Sequence, residues 1–430
     1  MRRTSLLLPV FNTLLEPARR AQARNPDRVF DAILAKARAA TDNHATLSGD
    51  DEAVIDGLRF LLRCWAATPG LSGVGWRSGI DLVTSRVVNL LKVRRIQACV
   101  PEVVDEPIRS PIFVIGLPRT ASTLCHHILA EADGARAPLM WEMYNPAGPT
   151  MVIPSSDPAA DELYSSKLAM RPGDEAELIK DTQDRSDRTM LLSKTWNDIH
   201  PTRADWPEEI YFFLAQGLGH LAMAPMPDYQ DWYMGTHDRA ADFRFVRDAL
   251  QVLQYKQPRD RWVLKHPTNL FCLPEILEVF PDAKIVWTHR DPPTVIGSLC
   301  SMNETLQRMH RKRRAVDLAV LGRTWLDLMA GGIAKARNDR VAIARPEAFV
   351  DIKYHQLTGS ADKNVPVLFE QLGLPWGEAD QARLEAATER AAAGLGRDGG
   401  RRHEYRLSDY GLSLDDIEDA FGPEYLRQCL

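Results

Sequence analysis

Short apolar runs separated by helix-length segments constrain this chain more than any other feature. Pro111-Ile112-Phe113-Val114-Ile115, Trp262-Val263-Leu264, Lys284-Ile285-Val286-Trp287, Val341-Ala342-Ile343 and Phe349-Val350-Asp351-Ile352 are apolar at successive positions rather than alternate ones. Strands of that composition need cover on both faces, as in a parallel sheet wrapped by helices. The expected core is a doubly wound α/β sheet, whose ligands sit outside the carboxyl ends of the strands.

The flanking segments read differently. Residues 1–105 have apolar positions such as Val54, Ile55, Leu58, Leu61 and Leu62 at three- and four-residue steps, broken by Pro69-Gly70 and Gly73-Val74-Gly75. This is an N-terminal helical extension, a cover for the α/β domain expected over 106–430. Its first residues, with Arg2-Arg3 before Leu6-Leu7-Leu8, resemble a weak signal peptide, but Pro9, Asn12 and Thr13 interrupt the run. The leucines equally suit one face of a short amphipathic helix. Between about 145 and 260 the alternation stops, and segments such as Trp206-Pro207-Glu208-Glu209-Ile210-Tyr211-Phe212-Phe213 indicate a helical insertion, its aromatics read as packing more than pocket.

With 53 Lys+Arg against 58 Asp+Glu, the net charge is −5. That balance argues against a general nucleic-acid or membrane-surface binder, so an anionic ligand must meet a local basic site. The 6 cysteines show no C-x-x-C spacing, which indicates neither a zinc site nor a disulfide framework and fits a reducing, cytoplasmic compartment. No apolar run reaches the roughly eighteen residues of a membrane span.

Two strands run directly into turns suited to anions. Gly116-Leu117-Pro118-Arg119-Thr120-Ala121-Ser122-Thr123 follows Ile115 and precedes a helix through Leu124, Ile128 and Leu129. Amides at a helix start carry partial positive charge, Thr120, Ser122 and Thr123 add hydroxyls, and Arg119 adds a full charge. The loop is not of the G-x-x-x-x-G-K-[ST] type. In the second turn, Thr288-His289-Arg290-Asp291-Pro292-Pro293-Thr294-Val295-Ile296-Gly297-Ser298, Asp291 suits a helix cap and Pro292 a first turn. That leaves Arg290 and Ser298 to converge on one dianionic group, so the pair of turns implies a ligand with two phosphate-like ends.

In these segments the chain resembles the PAPS-dependent sulfotransferases, in particular the bacterial branch with a P-R-T-G-[ST]-T loop. Pro138-Leu139-Met140-Trp141-Glu142, Trp262-Val263-Leu264-Lys265-His266-Pro267, Phe280-Pro281-Asp282-Ala283 and His403 to Leu412 look like the same branch. The resemblance implies a P-loop-NTPase-like sheet, PAPS (3′-phosphoadenosine 5′-phosphosulfate) as co-substrate, no metal, and a hydroxyl or amine acceptor on a small molecule or lipid. It places Arg119, Thr120, Ala121, Ser122 and Thr123 on the 5′-phosphosulfate, Arg290 and Ser298 on the 3′-phosphate, and Tyr354 against the nucleotide. Arg401 and Arg402, after Gly399-Gly400, either close a loop over the 3′-phosphate or form a solvated basic turn. Ala121 stands where the family usually has glycine; it is harmless at negative φ and weakens binding at positive φ.

For the chemistry, Arg119 stabilises charge, Lys265 at a strand end clamps the sulfuryl group, and Glu142 beside Trp141 is the favoured base. His266 and His200 are its rivals. The basic run Arg308 to Arg314 reads as a solvated helix face. Two other functions compete: a P-loop phosphotransferase, which needs a Walker lysine absent from this chain, and an inactive PAP- or PAPS-binding scaffold, suggested by Ala121 and the long helical extension.

Overall fold

The computed structural model describes residues 3–43, 47–146, 174–193, 196, 200–257, 260–394 and 405–429. Ile112–Gly116 (β1) is buried at every position, as its unbroken apolar run requires. It pairs in parallel with Arg261–Lys265 (β3) on one side and Lys284–His289 (β4) on the other, while Ala135–Arg136 (β2) flanks β3 and Phe349–Lys353 (β5) flanks β4. The order β2-β3-β1-β4-β5 makes β1 the strand from which the winding departs in both directions. The carboxyl ends of β1, β3 and β4 therefore open onto one crevice, at Gly116, Lys265 and His289. Ile112 and Val114 face one apolar core with Val263, Val286 and Val365; Phe113 and Ile115 face the other.

That second core does not stop at the sheet. It continues through Val87, Leu61, Leu58 and Phe30 of the N-terminal helices Leu8–Gln22 (α1), Pro26–Thr41 (α2), Gly49–Ala67 (α3) and Gly73–Cys99 (α4). Local chemistry sets their starts: Ser48 and Asp51 exchange side-chain and backbone bonds at the head of α3, and the Ser72 hydroxyl accepts from Gly75 N–H at the head of α4. Among the described residues, no helix is long and apolar enough to cross a membrane.

Two expectations change. Val341-Ala342-Ile343 is not a strand but the last turn of the helix Leu318–Ile343, which ends at Ala344 in the left-handed region. Val341 is 80% exposed, so a three-residue apolar run there reflects neither strand nor core. The basic run is also not simply solvated. Arg311 is buried and donates to the Pro69 and Ala315 carbonyls and to Gln307 Oε1, which fastens the segment after the helix Pro292–His310 to the N-terminal layer.

Candidate active site

The turn after β1 is held by backbone geometry. Gly116 has φ +139°, and a Cβ there would lie 2.5 Å from the Thr288 carbonyl oxygen, so only glycine fits. Arg119 and Ala121 then adopt φ of 71° and 64°, left-handed values that cost a side-chain-bearing residue about 1–2 kcal/mol each. Ala121 is thus at positive φ, the region that favours glycine. It is also the N-cap of Ser122–Ala130 (α5), and with no oxygen in its side chain it leaves the first amides of α5 uncapped at the sheet crevice. Those amides suit an anion.

Thr120 does not contribute its hydroxyl as expected. The side chain is buried, donates to Leu117 O at 2.7 Å and lies 2.6 Å from Thr288 Oγ1, so it braces the turn against β4 and leaves only its backbone for a ligand. Ser122 and Thr123 line the cavity above the sheet. Arg290, at the end of β4, donates through Nη1 to Arg119 O at 2.9 Å, and its guanidinium sits 3.9 Å from the centre of the Tyr354 ring. Burial and the neighbouring Arg290 cation push the Arg119 guanidinium below its ordinary value. Two cations held this close favour an anion between them. Ser298 lies half-buried in the second turn of the helix Pro292–His310, which follows Arg290. Arg401 and Arg402 lie outside the described residues.

At the end of β3, Lys265 Nζ donates to Thr123 Oγ1 at 3.1 Å and to Glu209 Oε1, and His266 Nδ1 lies 2.9 Å from Glu209 Oε2. Burial alone would raise the Glu209 carboxyl, but Lys265 and His266 outweigh it and hold Glu209 well below the usual carboxylate range. His266 Nε2 is buried without a partner among the described residues, on a side chain that lines the cavity. Next to this group His200 pairs with Glu208 at 3.4 Å.

Glu142, the expected base, is placed otherwise. One carboxylate oxygen takes the Arg136 guanidinium and the other accepts from Leu139 N–H at 2.8 Å, closing the first turn of Met140–Tyr144. Arg136 in turn lies over the Trp262 ring. A carboxylate so occupied stiffens the cavity wall. Glu209 is the residue that the sequence reading missed. The tandem acids Glu208-Glu209, inside an aromatic segment read as packing, were the available signal.

A single cavity of about 1680 Å³ joins these parts. Its polar end holds Arg119, Ser122, Lys265, His266 and Arg290, and its far walls include Phe11 and Leu15 of α1, Val74 and Leu82 of α4, and Met302, Leu306 and Met309 of the helix Pro292–His310. The N-terminal layer therefore forms part of the cavity wall.

A sequence profile described as "Sulfotransferase family" matches residues 111–378, more than half of the chain. The omega-hydroxy-beta-dihydromenaquinone-9 sulfotransferases Stf3 of Mycobacterium bovis and Mycobacterium tuberculosis are 26% identical over 281 residues, a span of 61% of this chain and 63% of theirs. The crystal structure of sulfotransferase STF1 from Mycobacterium tuberculosis superposes with a TM-score of 0.73 at 25% identity, covering 91% of this chain and 98% of that one. Sulfotransferase STF9 from Mycobacterium avium gives 0.72 at 24% identity, covering 93% and 96%, and supports the fold alone. With the profile matched over β1, β3, β4 and the turns that follow them, this chain belongs to the sulfotransferase family.

Proposed function

We propose that this protein moves the sulfuryl group of PAPS to a hydroxyl on a long, mainly apolar acceptor. The observation that carries this reading is the continuity of one cavity from the paired arginines, through Lys265, Glu209 and His266, to apolar walls built by α1, α4 and the helix Pro292–His310. The Stf3 relatives are named for an omega-hydroxylated dihydromenaquinone. An acceptor of that general kind, with a hydroxyl at the end of an apolar body, suits such a cavity.

PAPS, when bound, supplies an activated sulfuryl group on a weakly basic leaving phosphate. The residues present fit it: the uncapped amides of α5 with Arg119, Ser122 and Thr123 suit the phosphosulfate end, and Arg290 over Tyr354 suits the 3′-phosphate end. Lys265 reaches Thr123 from β3, so its ammonium is positioned to neutralise charge as it develops at the transferred group. By analogy with phosphoryl transfer, most of the work is positioning and electrostatics. Glu209 fixes the His266 ring with its proton on Nδ1, which leaves the Nε2 lone pair for the acceptor hydroxyl; an imidazolium formed there is stabilised by the same carboxylate. The six cysteines, none in a disulfide, support the cytoplasm as its compartment.

Calorimetry with 3′,5′-diphosphoadenosine in the presence of EDTA tests the nucleotide assignment. Heat of binding with no requirement for Mg²⁺ is expected. Absence of binding at millimolar ligand would favour an inert scaffold, and a dependence on Mg²⁺ and ATP would favour a phosphotransferase.

A further inference from the structure

Helix α1 presents a side that no described residue covers. Leu7, Val10, Phe11 and Leu14 fall on one face at 100° per residue, and with Leu6 they are between 40% and 70% exposed. Leu191, 57% exposed, lies beside them, because Ser5 N–H bonds to Leu192 O at 3.1 Å and Thr4 bridges to Ser193. Isolated surface leucines need no explanation, but a contiguous patch does. Two members of this patch, Phe11 and Leu191, also line the cavity. The exposed apolar surface thus continues into the site.

The helix is firmly mounted. Arg3 forms an ion pair with Glu304 at 2.9 Å, and Asn12 Oδ1 accepts from Val74 N–H at 2.9 Å. Beyond Leu14 the helix turns basic. Arg19 and Arg20 share the single acid Glu16, and Arg20 and the following Arg24 are both exposed, so this end carries a net positive charge. Arg20 and Arg24 lie on the polar side of the same segment, bordering a groove with Asn12, Glu16 and Lys312, and an apolar side with arginines on the polar side is complementary to a membrane interface, acyl chains for the leucines and anionic headgroups for the arginines. The balanced net charge of the whole chain excludes a general basic field, not a local face of this kind.

We propose that α1 docks this protein reversibly on an anionic bilayer surface, with Leu7, Val10 and Leu14 in the interface, so that the cavity mouth at Phe11 and Leu191 opens toward lipid and takes its acceptor from the membrane. The part concerning the acceptor rests on the reading of the site given above; the docking itself does not. A second copy of the chain or another protein on the same face would give different results in the test below.

The test is co-sedimentation of the full chain with vesicles of phosphatidylcholine and phosphatidylglycerol, compared with phosphatidylcholine alone. The wild type is expected to pellet with the anionic vesicles, and the triple variant Leu7→Ser, Val10→Ser, Leu14→Ser to lose roughly tenfold or more of that partition, with its unfolding temperature and its heat of binding to 3′,5′-diphosphoadenosine unchanged. Should the triple variant not fold, Arg20→Glu with Arg24→Glu, at exposed positions, carries the same expected loss. Wild-type protein that stays in the supernatant with anionic vesicles, or a variant that pellets as the wild type does, overturns the proposal. So does a wild-type dimer in sedimentation velocity that fails to bind vesicles and that the triple variant dissociates, since the face would then belong to a second copy. Failure to bind 3′,5′-diphosphoadenosine would sink the transferase reading without touching the vesicle result.

Discussion

His266 Nδ1 and Glu209 Oε2 lie 2.9 Å apart, with Lys265 on the other oxygen of the same carboxylate. A carboxylate can only accept, so Nδ1 carries a ring proton, and in the neutral ring the buried Nε2 is left as the acceptor. His266→Asn should therefore lower transfer by roughly 10²–10⁴ while leaving the dissociation constant for 3′,5′-diphosphoadenosine unchanged. Glu209→Gln should reduce transfer as well, and also lower the unfolding temperature, because it leaves the Lys265 ammonium buried without its counter-ion. Single-turnover rates with labelled PAPS, set against calorimetry, separate the two effects. Full activity in His266→Asn would move the base to His200.

Arg290 is expected to act on binding and not on the chemical step. Each charge-assisted hydrogen bond is worth on the order of 1.5–3 kcal/mol, so Arg290→Ala should weaken 3′,5′-diphosphoadenosine binding by roughly ten- to a hundredfold. Arg290→Lys should recover little, since an ammonium cannot reproduce the planar contact 3.9 Å over Tyr354 together with the bond to Arg119 O. A normal dissociation constant in Arg290→Ala would contradict the 3′-phosphate assignment.

Ala121, at φ 64°, stores strain in the turn between β1 and α5. Ala121→Gly relieves it, offset in part by the extra freedom that glycine gives the unfolded chain. A small rise in unfolding temperature and tighter 3′,5′-diphosphoadenosine binding are expected. Looser binding would mean that the left-handed turn does not limit the site.

The His200–Glu208 pair makes stability depend on pH. Burial would lower His200, but Glu208 outweighs it and raises the imidazole above 6.5; its contribution is complete below that value and fades as pH rises through the raised one. Burial would raise Glu208, but His200 and Lys265 hold it below 4.5; its contribution is complete above that value and is lost as pH falls through the lowered one. The pair therefore stabilises most between pH 4.5 and 6.5. Thermal unfolding across pH should show Glu208→Gln losing more stability inside that window than at about pH 8. A uniform loss would argue against the linkage.

Four of the strands, and the turns that follow two of them, were legible because their signals are local: apolar runs at Ile112, Trp262, Lys284 and Phe349, and glycine, proline or a charged residue close after a strand. Val341 to Ile343 misled because three apolar residues have no period. Glu142 stood near the right loop, yet only the fold shows its carboxylate taken by Arg136 and the Leu139 amide. Glu209, 56 residues before Lys265, becomes its neighbour only through the path of the insertion. For the same reason the N-terminal helices read as a bland cover: nothing in their own sequence says that Phe11 and Leu15 border a cavity whose polar end lies beyond residue 115.

The central claim is transfer from PAPS to an apolar acceptor, and the most direct measurement is the fate of radiolabelled PAPS incubated with the protein and, separately, a lipid extract and an aqueous metabolite extract. Label is expected in an organic-soluble product from the lipid extract, formed without added Mg²⁺ and lost in His266→Asn. Label confined to water-soluble products, or organic-soluble label that His266→Asn forms at the wild-type rate, would contradict it.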